Sequence, residues 1–213
     1  MLKENGLTNL KINKKKFIYL ISPNKITIQF YQDLEGVLKS SKVSFFQMRL
    51  KKYTFKQKIL IGKKIRKICK KNNVKFLIND DPLLAKKLNA DGCHLGQKDN
   101  DIIEARKIIG NKIIGITCHN SIKLAKSAIK NKASYLAFGA FFTTKTKRAR
   151  YKATTKILNE AKKLTNTPLV AIGGINSSNY KNLLLNNANF LAISGYVWNN
   201  KKYKPIKAIE KLK

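Results

Sequence analysis

Acidic residues are scarce in this chain. Eleven Asp and Glu stand against 45 Lys and Arg, a formal net charge of +34 over 213 residues. Three cysteines, Cys69, Cys93 and Cys118, are too few for a disulfide framework and point to a reducing compartment, the cytoplasm. No apolar run reaches the roughly 18 residues of a membrane helix, and no apolar signal segment opens the chain, so no membrane partner is expected. No linker rich in Pro, Gly or Ser divides it, which favours one domain large enough to bury a core. Zinc is disfavoured as well: there is no CxxC element, and the neighbours in Cys93-His94 and Cys118-His119 would point to opposite faces of a strand.

What is abundant is lysine, spread over every predicted helix instead of gathered in one patch. The cationic runs lack interleaved aromatic residues, so no specific nucleic-acid partner is expected. Such a charge would still draw acidic small molecules inward.

Residues 1–16 read as a basic N-terminal lead-in, partly disordered, and 17–213 as the folded unit. Within that unit, short apolar runs at 17–21, 43–48, 75–78, 92–95, 112–116, 134–138, 169–172 and 190–193 alternate with segments of helical periodicity. Strands so short and continuously apolar are buried on both faces, as in a parallel sheet covered by helices. Eight such units predict an α/β fold, a single-domain (β/α)8 TIM barrel, with a doubly wound open sheet as the alternative. In a barrel, chemistry sits on the loops that follow the strands.

Polar residues collect there. Alternation puts Gln47, Arg49 and Lys51 on one face, where two neighbouring cations suit an anion. Asn79-Asp80-Asp81 ends the third strand, and the fourth runs out through His94 to Asp99. Carboxylates at adjacent mouths suit a hard cation such as Mg2+, although Asp81 also fits the cap of a helix beginning at Pro82. Thr117 follows an apolar strand. The stretch from Leu136 to Arg150 passes through Gly139 into hydroxyls and cations suited to an anion, and Gly173-Gly174 reads either as a tight turn or as backbone open to an oxygen-rich ligand.

Seven pieces in this order resemble the thiamine-phosphate synthase family. They are Gln47-Met-Arg-Leu-Lys51, Asn79-Asp80, His94-Leu-Gly-Gln-Lys-Asp99, Gly115-Ile-Thr-Cys-His119, the run from Gly139 to Lys147, Ala171-Ile-Gly-Gly-Ile175 and Ile193-Ser194. The resemblance implies a transferase that joins 4-amino-5-hydroxymethyl-2-methylpyrimidine diphosphate to 4-methyl-5-(2-phosphoethyl)thiazole with release of pyrophosphate. Its partners are then two phosphorylated small molecules, and homo-oligomerisation is left open. Carried over position by position, Gln47, Arg49, Lys51, Asn79 and Lys147 contact the pyrimidine diphosphate, and Asp80 and Asp99 hold Mg2+. Thr117 stands where the family usually has serine near the diphosphate. Thr144 and Thr146 lie in the loop that meets the thiazole, while Gly174 and Ser194 take its phosphate with Ile193 beside them. The catalytic set is Arg49, Lys51, Thr117 and Lys147.

Leu50, Lys98, Ala140, Thr143 and Lys145 depart from the family pattern; Leu50 is expected to face away from the site. Two other readings remain at this stage, a thiazole tautomerase of the same superfamily and a non-catalytic barrel that binds RNA or a metabolite. A tautomerase has no need of the diphosphate-binding cations or the metal.

Overall fold

The computed structural model describes residues 16–97, 101–143 and 151–212. Its eight strands pair in parallel and in chain order, and the eighth closes onto the first. They are β1 (Ile18–Ile21), β2 (Val43–Met48), β3 (Lys75–Asn79), β4 (Gly92–Leu95), β5 (Ile113–His119), β6 (Tyr135–Gly139), β7 (Leu169–Ile172) and β8 (Phe190–Ile193). Between them run α1 (Ile28–Lys39), α2 (Phe55–Lys71), α3 (Pro82–Lys87), α4 (Ile102–Ile109), α5 (Ile122–Lys130), α6 (Thr155–Leu164) and α7 (Tyr180–Leu185). After β8 come α8 (Gly195–Trp198) and α9 (Pro205–Glu210). The chain is therefore a (β/α)8 barrel, and closure excludes the open sheet.

Strand alternation divides the buried residues between two layers. Side chains on the outer face of the strands pack against the helices; Ile18, Leu20, Phe46, Met48, Phe76, Ile78, Cys93, Leu136 and Phe138 belong to this shell. Side chains on the inner face fill the barrel, where Tyr19, Phe45, Leu77, Tyr135, Val170 and Phe190 meet. Phe45 is the hub of that interior, 5.0 Å from Phe190 edge-on and 5.4 Å from Tyr19 between ring centroids. Glycine makes room for one of these rings: a Cβ on Gly115 would sit inside the Tyr135 side chain.

Helix starts follow their caps. Thr54 accepts from the Gln57 amide while the Gln57 side chain accepts from Thr54 N–H, a capping box that fixes the first turn of α2. Asp81 Oδ1 accepts from Leu84 N–H at 2.9 Å, with Pro82 at the first helical position.

Two differences from the sequence-based expectation bear on the site. Strand β5 does not stop at Ile116; its pairing with β6 carries on through Thr117, opposite Ala137, and resumes at His119, so Thr117 is a strand residue. The short helix α8, which begins directly after Ser194, was not expected, because one turn is too short to leave an apolar period. Residues 1–15 of the lead-in lie outside the described residues.

Candidate active site

The strand ends that share one rim carry most of the expected residues. Gln47 is the penultimate residue of β2 and is buried, while Arg49 and Lys51 follow the strand toward solvent. Asn79 ends β3, and Asp80 comes next with a φ of 64°, a left-handed conformation that Asp tolerates better than most side chains. Lys51 Nζ lies 3.2 Å from Asp80 Oδ2. The loops after β2 and β3 therefore bring a cation and a carboxylate together at the mouth. Ile193 ends β8, Ser194 follows it, and Gly174 follows β7. Asp99, Thr144, Thr146 and Lys147 lie outside the described residues, as do Lys98 and Lys145.

Leu50 is buried in the outer shell together with Met48, as alternation along the strand requires, so the departure there concerns packing against helices. The Gly173-Gly174 pair serves the chain's own close approach. Both have positive φ, 107° and 65°, and a Cβ on Gly174 would run into Phe142 and the Thr143 carbonyl. Phe142 N–H donates to Gly173 C=O at 3.0 Å, which ties the start of the β6–α6 loop to the β7 turn. Asp81 is occupied as the α3 cap, the plainer of its two readings.

Ser22, just past β1, joins the two halves of the rim. Its hydroxyl accepts from Arg49 N–H at 2.9 Å, its carbonyl accepts from the Ser194 hydroxyl at 3.2 Å, and its own N–H donates to Gln47 C=O at 2.9 Å. The segment bearing Arg49 and the residue opening α8 are thereby locked to one buried serine. Trp198 Nε1 donates to Ile21 C=O at 2.7 Å and pins α8 against the same strand end.

Below the rim a line of buried polar side chains crosses the barrel. Gln47 Nε2 donates to the Tyr19 hydroxyl at 2.7 Å, and the Tyr19 and Tyr135 hydroxyls are 2.7 Å apart. The Tyr135 hydroxyl is 2.9 Å from His94 Nδ1, and His94 Nε2 is 2.8 Å from Thr117 Oγ1. The His94 ring also stacks on Tyr135. Burial keeps the whole line neutral: it lowers the His94 pKa from 6.5 to about 4 against the smaller opposing pull of Asp80, and it raises both tyrosines well above their ordinary value. Cys93 and Cys118, beside His94 and Thr117 in sequence, are buried in the outer packing layer, and that burial pushes both thiols up to about 12, so they pack as neutral side chains.

His94 was expected as a hydrogen-bonded packing residue, and it is one. Tyr19, Tyr135 and Ser22 escaped notice because each sits in or next to an apolar strand run. Strand phase would have put Tyr19 and Tyr135 on the inner face with Gln47, and a hydroxyl buried there needs a partner.

Among the described residues no three His, Cys, Asp or Glu side chains converge as a metal cage. A Mg2+ ion held by one or two carboxylates and completed by substrate phosphate oxygens does not require such a cage, and the Asp80 carboxylate, half-buried at the mouth beside a lysine, is a donor of suitable chemistry.

The fold is that of a barrel whose strand C-terminal ends bring the Lys51 ammonium and the Asp80 carboxylate together at one rim. A sequence profile described as thiamine monophosphate synthase matches residues 18–197. The chain belongs to the thiamine-phosphate synthase family. It is 71% identical over 204 residues to the thiamine-phosphate synthase of Pelagibacter ubique, covering 95% of this chain and 98% of that one. It is 39% identical over 196 residues to the thiamine-phosphate synthase of Erythrobacter litoralis, covering 90% and 92%. A solved structure, thiamine phosphate pyrophosphorylase from Pyrococcus furiosus, superposes with a TM-score of 0.82 at 29% identity, covering 93% of this chain and 94% of that one. No helix among the described residues is long and apolar enough to cross a membrane.

Proposed function

We propose that this thiamine-phosphate synthase joins 4-amino-5-hydroxymethyl-2-methylpyrimidine diphosphate to 4-methyl-5-(2-phosphoethyl)thiazole through charge held at the strand-end rim, with no side chain acting as nucleophile. The observation that carries the reading is the grouping of Arg49 and Lys51 after β2 beside Asp80 after β3, with Lys51 and Asp80 3.2 Å apart. The C–O bond between the pyrimidine methylene and the diphosphate breaks, and its electron pair leaves on pyrophosphate. The thiazole nitrogen then supplies the pair for the new C–N bond.

The difficult step accumulates negative charge on the leaving oxygens, so fixed cations and hydrogen-bond donors aimed there lower the barrier. Arg49, Lys51 and Lys147 supply the cations, Gln47 and Asn79 hold the pyrimidine diphosphate, and Thr117 donates to it. Asp80 with Asp99 would hold Mg2+, which would neutralise part of the diphosphate charge.

Thr144 and Thr146 meet the thiazole, whose phosphate is taken by Gly174 and Ser194 beside Ile193. These two follow β7 and β8, the usual phosphate position in barrels of this kind. Holding both reactants at one rim supplies the remaining rate by orientation. The cytoplasm, where cysteines stay reduced, is the compartment that suits this chain.

A coupled assay of the purified chain tests the reading, with pyrophosphate and thiamine phosphate followed while Mg2+ is varied. Both products are expected only when both substrates and the metal are present. A folded protein that binds the thiazole phosphate and forms neither product contradicts it.

A further inference from the structure

The buried line from Gln47 to Thr117 does more than fill the barrel. Each tyrosine hydroxyl has one proton and each meets two partners, so the direction of one hydrogen bond dictates the next. Tyr19 accepts from the Gln47 amide nitrogen and so gives its proton to Tyr135. Tyr135, having accepted, gives its own to His94 Nδ1. With Nδ1 accepting, the His94 ring carries its hydrogen on Nε2 and gives it to Thr117 Oγ1. Among the described residues the Thr117 hydroxyl meets no side chain but His94, so its own hydrogen is left over.

We infer that Tyr19, Tyr135 and His94 form a one-way donor chain that makes the Thr117 hydroxyl a hydrogen donor, not an acceptor, toward the leaving diphosphate. The inference rests on the assignment of Thr117 to the diphosphate in the reading above. Tyr19, Tyr135 and His94 are positioning residues, acting through Thr117.

Only one other order puts a single hydrogen in every contact of the line. It turns the Gln47 amide over so that its oxygen accepts from Tyr19, and it reverses every bond after that. His94 would then carry its hydrogen on Nδ1, Thr117 would donate inward, and an oxygen lone pair would face the anion. Mixed orders set two hydrogens or two lone pairs against each other inside the barrel, where an unmade hydrogen bond costs about 1–3 kcal/mol. Anionic ligands therefore select the first order, and the fold keeps the rings in contact so that the selection runs along the whole line: Tyr135 is seated over Gly115 and is fully buried, as is Tyr19. Because the order runs unbroken to Gln47, its amide nitrogen is committed to Tyr19 whenever Thr117 presents a hydrogen.

Imidazole 15N NMR on the full chain reads the order directly. The sequence holds two histidines, so a His119→Asn variant assigns the spectrum. With inorganic pyrophosphate and Mg2+ added, His94 is expected as the Nε2–H tautomer. The Nδ1–H tautomer overturns the inference, and since this readout needs no turnover, it decides the question even where the proposed reaction fails.

A kinetic cycle tests the consequence. Tyr135→Phe is expected to lower kcat/KM for the pyrimidine diphosphate about tenfold in wild type and in a Thr117→Ser background, where the hydroxyl survives. In a Thr117→Ala background the same change is expected to cost less than about twofold. An equal cost in all three backgrounds means that Tyr135 does not act through Thr117, and the inference falls.

Discussion

The rim of the barrel and its interior solve opposite electrostatic problems within a few residues of each other. At the rim, Lys51 is more than half exposed and Asp80 about a quarter, so their attraction is screened and contributes little to folding. Because the pair is solvent-screened, exchanging it for a ligand's charge costs little. In the interior, Gln47, Tyr19, Tyr135 and His94 have no water to lean on, and each is neutral and satisfied by the next. The comparison teaches a division of labour: exposed charge can be exchanged for a substrate's charge, whereas buried dipoles turn only together and fix what is attached to them. Gln47 and Thr117 belong to both regions, and Ser22 does the equivalent for Arg49 and Ser194 through backbone contacts.

Removing the rim cations should break the comparison most plainly. The double variant Arg49→Ala, Lys51→Ala is expected to lower kcat/KM for the pyrimidine diphosphate by about 10²–10⁴, at roughly 1.5–3 kcal/mol per charge-assisted contact. Its urea midpoint should stay close to wild type.

Acid tests the interior instead. His94 has a folded pKa of about 4, below its ordinary 6.5, so the unfolded chain binds the extra proton first as pH falls. The stability from keeping His94 neutral is whole above pH 6.5, declines as pH falls through that value, and is spent near pH 4. The loss is on the order of 3 kcal/mol. Urea unfolding from pH 7 to pH 4 should show this slope, and His94→Gln should flatten it.

A third variant touches the junction of loop and rim. Gly174→Ala puts a Cβ against Phe142 and Thr143 at a left-handed position and should cost about 1–3 kcal/mol. The KM for the thiazole phosphate should rise with it, as steady-state kinetics would register. The smallest effect belongs far from both regions: Thr54→Ala removes the α2 capping box for about 1 kcal/mol of thermal or urea stability, with turnover unchanged.

The same division explains what the sequence disclosed. The barrel was legible because its strands are short apolar runs; those at 43–48, 92–95, 169–172 and 190–193 occupy the expected positions. Thr54 and the Asp81-Pro82 pair announced the starts of α2 and α3. At the rim, Arg49, Lys51 and Asp80 were legible because a charge at the end of an apolar strand interrupts a pattern. The interior network was not, since Tyr19 and Tyr135 continue the pattern and a tyrosine in a strand reads as bulk. His94 and Thr117 could be seen singly, but not their meeting, because it joins β4 to β5 across a helix and depends on strand phase. Thr117 was also placed past the strand, since neither it nor the following Cys118-His119 extends the apolar run of Ile113–Ile116, although backbone pairing with β6 does continue.

Asp80 is where the separation of chemistry from folding can be measured most directly. Asp80→Asn keeps the shape and tolerates the left-handed backbone, while removing the charge assigned to Mg2+. Turnover in the pyrophosphate assay and the urea midpoint should be measured on wild type and variant side by side. Turnover is expected to fall about 10²-fold or more while the midpoint moves by no more than about 1 kcal/mol. Undiminished turnover, or a loss of activity matched by a loss of stability, would contradict a rim that carries the chemistry on a separately stabilised interior.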